Sequence, residues 1–206
     1  VKGRTIALAA SSCETVRILL NSKSSLFPNG LANGSGLVGK YIMDTVGARL
    51  GGQVPAMENM PPHNEDGAGG SHSYVPWWLY KEQLAGKLDF PRGYHIEMGG
   101  SRRLPSVGTF DGLERFTGGS YGMQLKEDAK RYYGSFVSYS GRGEMVPNEN
   151  CYCDIDPAVR DKWGIPVLRF HWKWADYELR QAAHMHKTFA ELIEEMGGTI
   201  LDEVDP

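Results

Sequence analysis

The chain has 206 residues, a formal net charge of −3 and a composition that is 41% hydrophobic and 23% charged, with 26 glycines, five tryptophans and three cysteines. A chain of this length buries one or two modest cores, and its slightly acidic balance argues against a broad electrostatic footprint for nucleic acid. No apolar run reaches the length of a membrane span, and three cysteines exclude a complete internal disulfide framework. Cys151 and Cys153, two positions apart, are too few for a structural zinc site and read as buried or spectator thiols.

Taken in chain order, Thr5–Ala10 reads as a short buried strand, Ser11–Glu14 as a polar turn and Thr15–Leu20 as the entry to a helix. A buried strand that runs through small residues into a helix is how a nucleotide-binding sheet brings its backbone close to a cofactor. No Gly-x-Gly-x-x-Gly precedes it. The strand has no obvious parallel neighbour in the chain, so it is expected to be covered by a partner chain or by another copy. Glycine clusters at Gly47–Gly52, Gly67–Gly70, Gly99–Gly100 and Gly118–Gly122 read as turn punctuation. Strands are expected at Tyr94–Met98, Tyr133–Tyr139, Cys151–Ile155 and Ile165–Trp174. Long irregular stretches, Pro55–Pro76 and Arg102–Gly122, fit lids, arms or interface elements.

Two strands carry clear alternation. Leu168, Phe170, Trp172 and Trp174 alternate with Val167, Arg169, His171 and Lys173, which sets a packed face against a polar one. Tyr94, Ile96 and Met98 alternate in the same way with His95 and Glu97. The clearest helix covers 176–196, with Asp176 as N-cap, apolar Ala182, Met185, Phe189, Leu192, Ile193 and Met196 at helical spacing, and Gly197-Gly198 as its stop. Thr199–Leu201 begins a further strand. Several alternating strands and one strong helix imply a mixed or antiparallel sheet backed by that helix.

The run Ser11-Ser12-Cys13-Glu14-Thr15-Val16-Arg17-Ile18-Leu19-Leu20-Asn21-Ser22 resembles the second signature of the glucose–methanol–choline (GMC) oxidoreductases: a small-residue turn, then Thr-Pro-Arg-hydrophobic-Leu-Leu, then Ser-Gly. Val16 and Lys23-Ser24 depart from it. Ser35–Asp44 is similar to the family's Gly-hydrophobic-Gly-Arg-Asn-Leu-x-Asp segment, with Lys40 and Tyr41 in place of Arg-Asn. Leu19–Ser24 and Asn29–Asn33 match the bacterial branch. The resemblance implies an α/β (α+β) fold: an edge of an FAD-binding nucleotide fold over residues 1–46, and an incomplete substrate domain over 47–206 whose mainly antiparallel sheet is backed by helices. It also implies an internal portion of the family's sequence, lacking the N-terminal dinucleotide fingerprint and the C-terminal segment with the catalytic His. The expected function is part of an FAD-dependent oxidation of an alcohol group, of a sugar or glycoside, by hydride transfer to flavin. The alternative is a non-catalytic sugar-binding or assembly module. Another chain, or further segments of the same protein, would complete the fold, and the chain alone is expected to bind FAD weakly or not at all.

By the same resemblance Ala9, Ala10, Ser11 and Asp44 lie against FAD, and Glu149 and Asn150 become substrate-site candidates; a polar hairpin entry with an Asp156-Pro157 turn accounts for the last pair equally well. Arg169 and His171, with Lys173, could bind a hydroxylated or anionic substrate or stabilise an oxyanion, or could form a solvated face of salt bridges. His95 and Glu97 carry the same two readings. Trp77, Trp78 and Tyr80 suit core or interface anchors ahead of a sugar contact. His63, Glu65, Asp66 and His72 fit no established metal spacing, so no metal is expected. His184 and His186, two apart on a helix, cannot share an ion through one face.

Overall fold

The computed structural model describes residues 3–61, 73–100 and 109–201. In chain order the elements are α1 (Ser12–Asn21), β1 (Thr45–Gln53), β2 (Ser73–Val75), α2 (Tyr80–Leu84), β3 (Tyr94–Gly100), α3 (Thr109–Thr117), α4 (Gly122–Tyr132), β4 (Phe136–Glu144), β5 (Tyr152–Arg160), β6 (Pro166–His171), α5 (Asp176–Glu195) and β7 (Thr199–Ile200). The fold is α/β, with a mainly antiparallel sheet backed by helix. The chain divides into two units, Val1–Asp44 with Val146–Trp174, and Thr45–Met145 with Ala175–Pro206.

The larger unit is built on a five-stranded sheet in the order β2-β3-β4-β1-β7, with every neighbour antiparallel. Alternation sorts the side chains. Val46, Ala48 and Leu50 of β1, Tyr139 of β4, and Tyr94 and Ile96 of β3 are buried. Helix α5 covers this face with Gln181, Met185, Phe189 and Ile193, one per turn and all buried. The helix can come this close because the sheet is paved with glycine beneath it. A Cβ at Gly52 would stand 2.8 Å from Ile193, and one at Gly141 or Gly143 would fall inside the space of Met185 or Gln181. The glycines of 47–52 are therefore not turn punctuation; they lie in a central strand, and at Gly52 the absent side chain is a packing requirement. Gly118, Gly119 and Gly122 do turn the chain, each with positive φ.

Helix α5 opens at Ala175 rather than Asp176. The Ala175 amide donates to Glu178 Oε2 at 2.6 Å, so the carboxylate three residues on does the capping. Gly197 takes φ 67° and donates to the Glu194 carbonyl, which closes the helix as its sequence promises. At the other end of the sheet, buried Gln53 donates to Glu58 Oε1 and Ser135 Oγ, both at 3.1 Å. Arg131 then donates to Glu58 Oε2 at 2.6 Å, tying the end of α4 to the end of β1. Helix α3 lies within the stretch Arg102–Gly122 expected to be irregular, and α4 follows it to Tyr132; Gly134 then takes φ 120°, so the strand expected from Tyr133 begins only at Phe136.

The smaller unit pairs β5 with β6 in an antiparallel hairpin, and α1 packs on both strands. Arg17 fixes the helix there. It donates from Nη2 to Asp161 Oδ2 at 2.6 Å and from Nε to the Pro166 carbonyl at 2.9 Å. Asp161 also accepts the amides of Trp163 and Ile165, and the Arg17 guanidinium holds its carboxyl below the usual carboxylate range. The Gly39–Ile42 segment runs beside β5: Cys153 donates to the Gly39 carbonyl at 2.7 Å and Ile42 to the Cys151 carbonyl at 2.9 Å. Gly39, at φ 85°, leaves no room for a Cβ against the Cys153 carbonyl.

The expected opening strand at Thr5–Ala10 pairs with no described residue. Its residues are exposed, Ile6 at 58%, because an extended segment becomes a strand only when a ladder satisfies its backbone. The expected polar turn is shorter too. Ser12, Cys13 and Glu14 already belong to the first turn of α1, where an acidic side chain suits the positive end of the helix.

Candidate functional site

The face of the five-stranded sheet turned away from α5 is polar. Parity along β3 places His95 and Glu97 there, opposite the buried Tyr94 and Ile96. His95 pairs in register with Arg142 of β4, and Glu97 with Ser140. The Glu97 carboxylate stands 3.5 Å from both His95 Nε2 and Arg142 Nε. The ring of Tyr74 of β2 lies 5.7 Å from the His95 ring, tilted by 51°. In β1, Gly47 lies beside Arg142 and Arg49 beside Ser140. The Ser140 hydroxyl is buried without a hydrogen-bond partner among the described residues. One patch thus collects an imidazole, a carboxylate, guanidinium groups, a hydroxyl and an aromatic ring. Such a mix of donors and acceptors suits a ligand with several hydroxyl groups. Of this group the sequence singled out His95 and Glu97; Arg142, Arg49, Ser140 and Tyr74 become visible only through strand register.

The remaining candidates lie in the smaller unit. Arg169 and His171 do share a face of β6. Arg169 makes two hydrogen bonds to Asp154, at 3.0 and 2.7 Å, and His171 Nε2 stands 3.5 Å from the same carboxylate. The His171 ring stacks on Tyr152 at 4.2 Å, with Lys40 Nζ 3.8 Å from the centre of the Tyr152 ring. Arg169 holds the Asp154 carboxyl below its ordinary range. Arg169 is thus engaged by Asp154. Lys173 lies past the end of β6, where its carbonyl faces Cys151 Sγ at 3.5 Å. Both ionic partners at Asp154 are substantially exposed, and exposed pairs are worth about 0–1 kcal/mol. Arg169→Met is therefore expected to lower stability by no more than about 1 kcal/mol in urea melts; a larger loss would mean that the pair organises the hairpin.

The opposite face of β6 is not a packed core. Phe170 is 52% exposed and Trp172 is also exposed, so the alternation is present without the burial it suggested. Glu149 and Asn150 sit exposed in the turn before β5. Asn148 builds that turn, its Oδ1 accepting the Asn150 amide at 2.8 Å. Asp156 accepts the amides of Ala158 and Val159 where the β5–β6 register shifts. Ala9, Ala10 and Ser11 are exposed at the start of α1. Ser11 adopts φ 72° and makes no side-chain cap. Asp44 is exposed at the entry to β1. A Gly-x-Gly-x-x-Gly string does occur at Gly34–Gly39, but it lies in turns without the strand before it and helix after it that the phosphate-binding fingerprint needs.

His63, Glu65, Asp66 and His72 lie outside the described residues, among which no group of three metal-ligating side chains comes together. No helix among them is long and apolar enough to cross a membrane. Trp77 is a packing residue. It contacts Trp78, Phe90 and Tyr94 at 5.3, 6.0 and 4.8 Å, and donates to Gln83 Oε1 at 2.8 Å. His184 faces it, with Nδ1 2.8 Å from the Tyr94 hydroxyl, which also meets Thr188 Oγ1 at 3.2 Å.

Burial pushes Tyr94 up to about 12 and His184 below its ordinary 6.5, so both are neutral when folded at pH 7. Above pH 10 the folded chain keeps a proton on Tyr94 that the unfolded chain releases, and stability falls as pH rises from 10 toward 12. Below pH 6.5 the unfolded chain protonates His184 first, and stability falls as pH drops. Tyr94→Phe should flatten the alkaline arm in denaturant melts relative to the parent; an unchanged arm would assign it to other groups.

No family model matches the chain. Two relatives, both dehydrogenases by name, align with it. One is the 2-methyl-1,2-propanediol dehydrogenase of Mycolicibacterium austroafricanum, 26% identical over 173 residues, which cover 84% of this chain and 30% of the relative. The other is the fructose dehydrogenase large subunit of Gluconobacter japonicus, 23% identical over 202 residues, covering 98% of this chain and 35% of the relative. The chain thus spans about a third of the length of the curated relatives it matches.

Proposed function

We propose that the chain is part of a GMC-type, FAD-dependent oxidoreductase that oxidises an alcohol group of a sugar or glycoside by hydride transfer to flavin. The observation that carries this reading is the alignment of nearly the whole chain with a dehydrogenase named for a sugar, and of most of it with one named for a diol. In this reading residues 1–46 contribute to the FAD-binding domain and 47–206 to the substrate domain. Ala9, Ala10, Ser11 and Asp44 hold one edge of the cofactor. They fit that part: the side chains at 9–11 are small and exposed, and Ser11 leaves the first turn of α1 without a side-chain cap, so its amides are available to a polar group.

FAD, when bound, accepts the hydride. The chain's own residues bind and orient the alcohol. His95 and Arg142 donate hydrogen bonds to substrate oxygens, and Glu97 orients both while accepting from a hydroxyl. Glu149, Asn150, Arg169 and His171 are secondary substrate-binding candidates. The catalytic base belongs to segments that another chain, or the rest of the same protein, supplies.

The test is expression of the chain together with its flanking coding sequence, followed by flavin absorbance and dye-coupled oxidation of a panel of sugars and diols. Arg142→Ala should lower kcat/KM about tenfold or more, the scale of one lost hydrogen bond to a charged group, with flavin content unchanged. A colourless protein without activity would overturn the oxidoreductase reading in favour of a binding or assembly module. An active protein indifferent to Arg142→Ala would move the substrate away from this face.

A further inference from the structure

The larger unit carries a concavity on the α5 side of the sheet, and so on the opposite face of β3 from His95 and Glu97. We infer that it is a binding site for an organic ammonium ion with an aromatic or aliphatic body. The groove has a volume of about 720 Å³, within the roughly 300–1,000 Å³ of small-molecule sites. Its walls are mostly apolar, formed by Trp78, Leu79, Met98 and Leu192 among others. Trp78 lines the groove and keeps 42% of its surface exposed, whereas its neighbour Trp77 is half-buried. Aromatic faces attract cations.

The polar groups that line the groove set the sign of the ligand. Glu191 and Glu195 stand one turn apart on α5 and both line it. Glu191 makes an exposed ion pair with Lys187, one turn away, at 3.9 Å, worth little between two solvated side chains, and Glu195 has no ion pair with any described residue. His184, the remaining ionisable side chain of the lining, has its Nδ1 engaged by Tyr94 and contributes no positive charge at neutral pH. An apolar trough with two carboxylates favours a ligand whose body displaces water and whose charged end is positive; a carboxylate ligand of the same shape meets repulsion instead. The site is separate from the proposed substrate face, so its occupation and the oxidoreductase reading stand or fall independently.

Three probes of one shape test this on the full 206-residue chain: 2-phenylethylammonium, 2-phenylethanol and 3-phenylpropionate, titrated at pH 7.5 and low ionic strength with Trp fluorescence and calorimetry. The ammonium should bind at least tenfold more tightly than the propionate. The double variant Glu191→Gln, Glu195→Gln should bring the two within about twofold while leaving the alcohol unchanged, and 1 M salt should compress the preference in the parent chain. Trp78→Ala should weaken all three probes. Both glutamates are exposed, so their amides leave the fold intact, which circular dichroism checks. Absence of binding, equal binding of the three probes, or a cation preference that survives the double variant would overturn the assignment.

Discussion

Gly52→Val should cost the larger unit about 3 kcal/mol, whereas Gly47→Val, five residues earlier in the same strand, should cost under about 1 kcal/mol. The difference is one of faces. At Gly52 a new Cβ meets three carbons of Ile193 at 2.8 to 3.1 Å. Ile193 is fully buried, and its branched side chain has few rotamers to retreat into. Relief would require α5 to lift from β1, loosening the packing of Phe189 and Met185 along the same helix. At Gly47 the nearest atom is the Gly141 carbonyl oxygen at 3.5 Å, an ordinary contact, on the face turned away from α5. Valine there also gains from the strand's preference for β-branched residues. Urea unfolding of both variants provides the measurement. Equal destabilisation would show that the glycines are needed for backbone freedom and not for the approach of the helix.

Phe189→Ala should destabilise by about 3–5 kcal/mol, the usual range for a fully buried ring. Phe189 has 0% of its surface exposed and stacks on Tyr139 at 5.7 Å and 19°, at the centre of the contact between α5 and the sheet. Gly141 lies beneath the same ring, so the vacated space is walled by backbone, which cannot collapse into it as side chains might. Phe170→Ala is the instructive contrast. That ring lies at the equivalent apolar position of an alternating strand, yet it is half exposed, and its loss should cost under about 1 kcal/mol. Comparable losses at the two positions would mean that Phe170 is covered in solution by a surface outside these residues.

The contrast also shows what was legible in the sequence. Periodicity gave α5 nearly to the residue, because Met185, Phe189 and Ile193, buried at a spacing of four, mark one helical face; Gln181, the fourth buried residue of that row, is polar and gave no such signal. It gave β3 and the opposition of Arg169 and His171 to Phe170, because alternation is a property of the strand itself. Burial is not: it depends on whether a neighbour arrives, and on β6 the apolar position of Phe170 is left half exposed although α1 packs on the same hairpin. The central strand β1 escaped because its glycines imitate a loop. For Gly52 the meaning lies in Ile193, more than 140 positions away in the chain. Helices α3 and α4 escaped because they carry few core residues. The polar face around His95 was half legible, since parity exposes Glu97 but only the β3–β4 register brings Arg142 alongside.

Strand β3 serves two chemistries by parity alone: Tyr94 and Ile96 face the dry side, His95 and Glu97 the wet one. Exchanging any one of these residues alters one side only. Removing or inserting a single residue between Tyr94 and Glu97 would invert the strand beyond it, sending a carboxylate under the helix and a hydrocarbon toward the solvent. This segment can therefore diverge by replacement, but in-frame length changes within it should be selected against far more strongly than in the turns at Gly118 and Gly119.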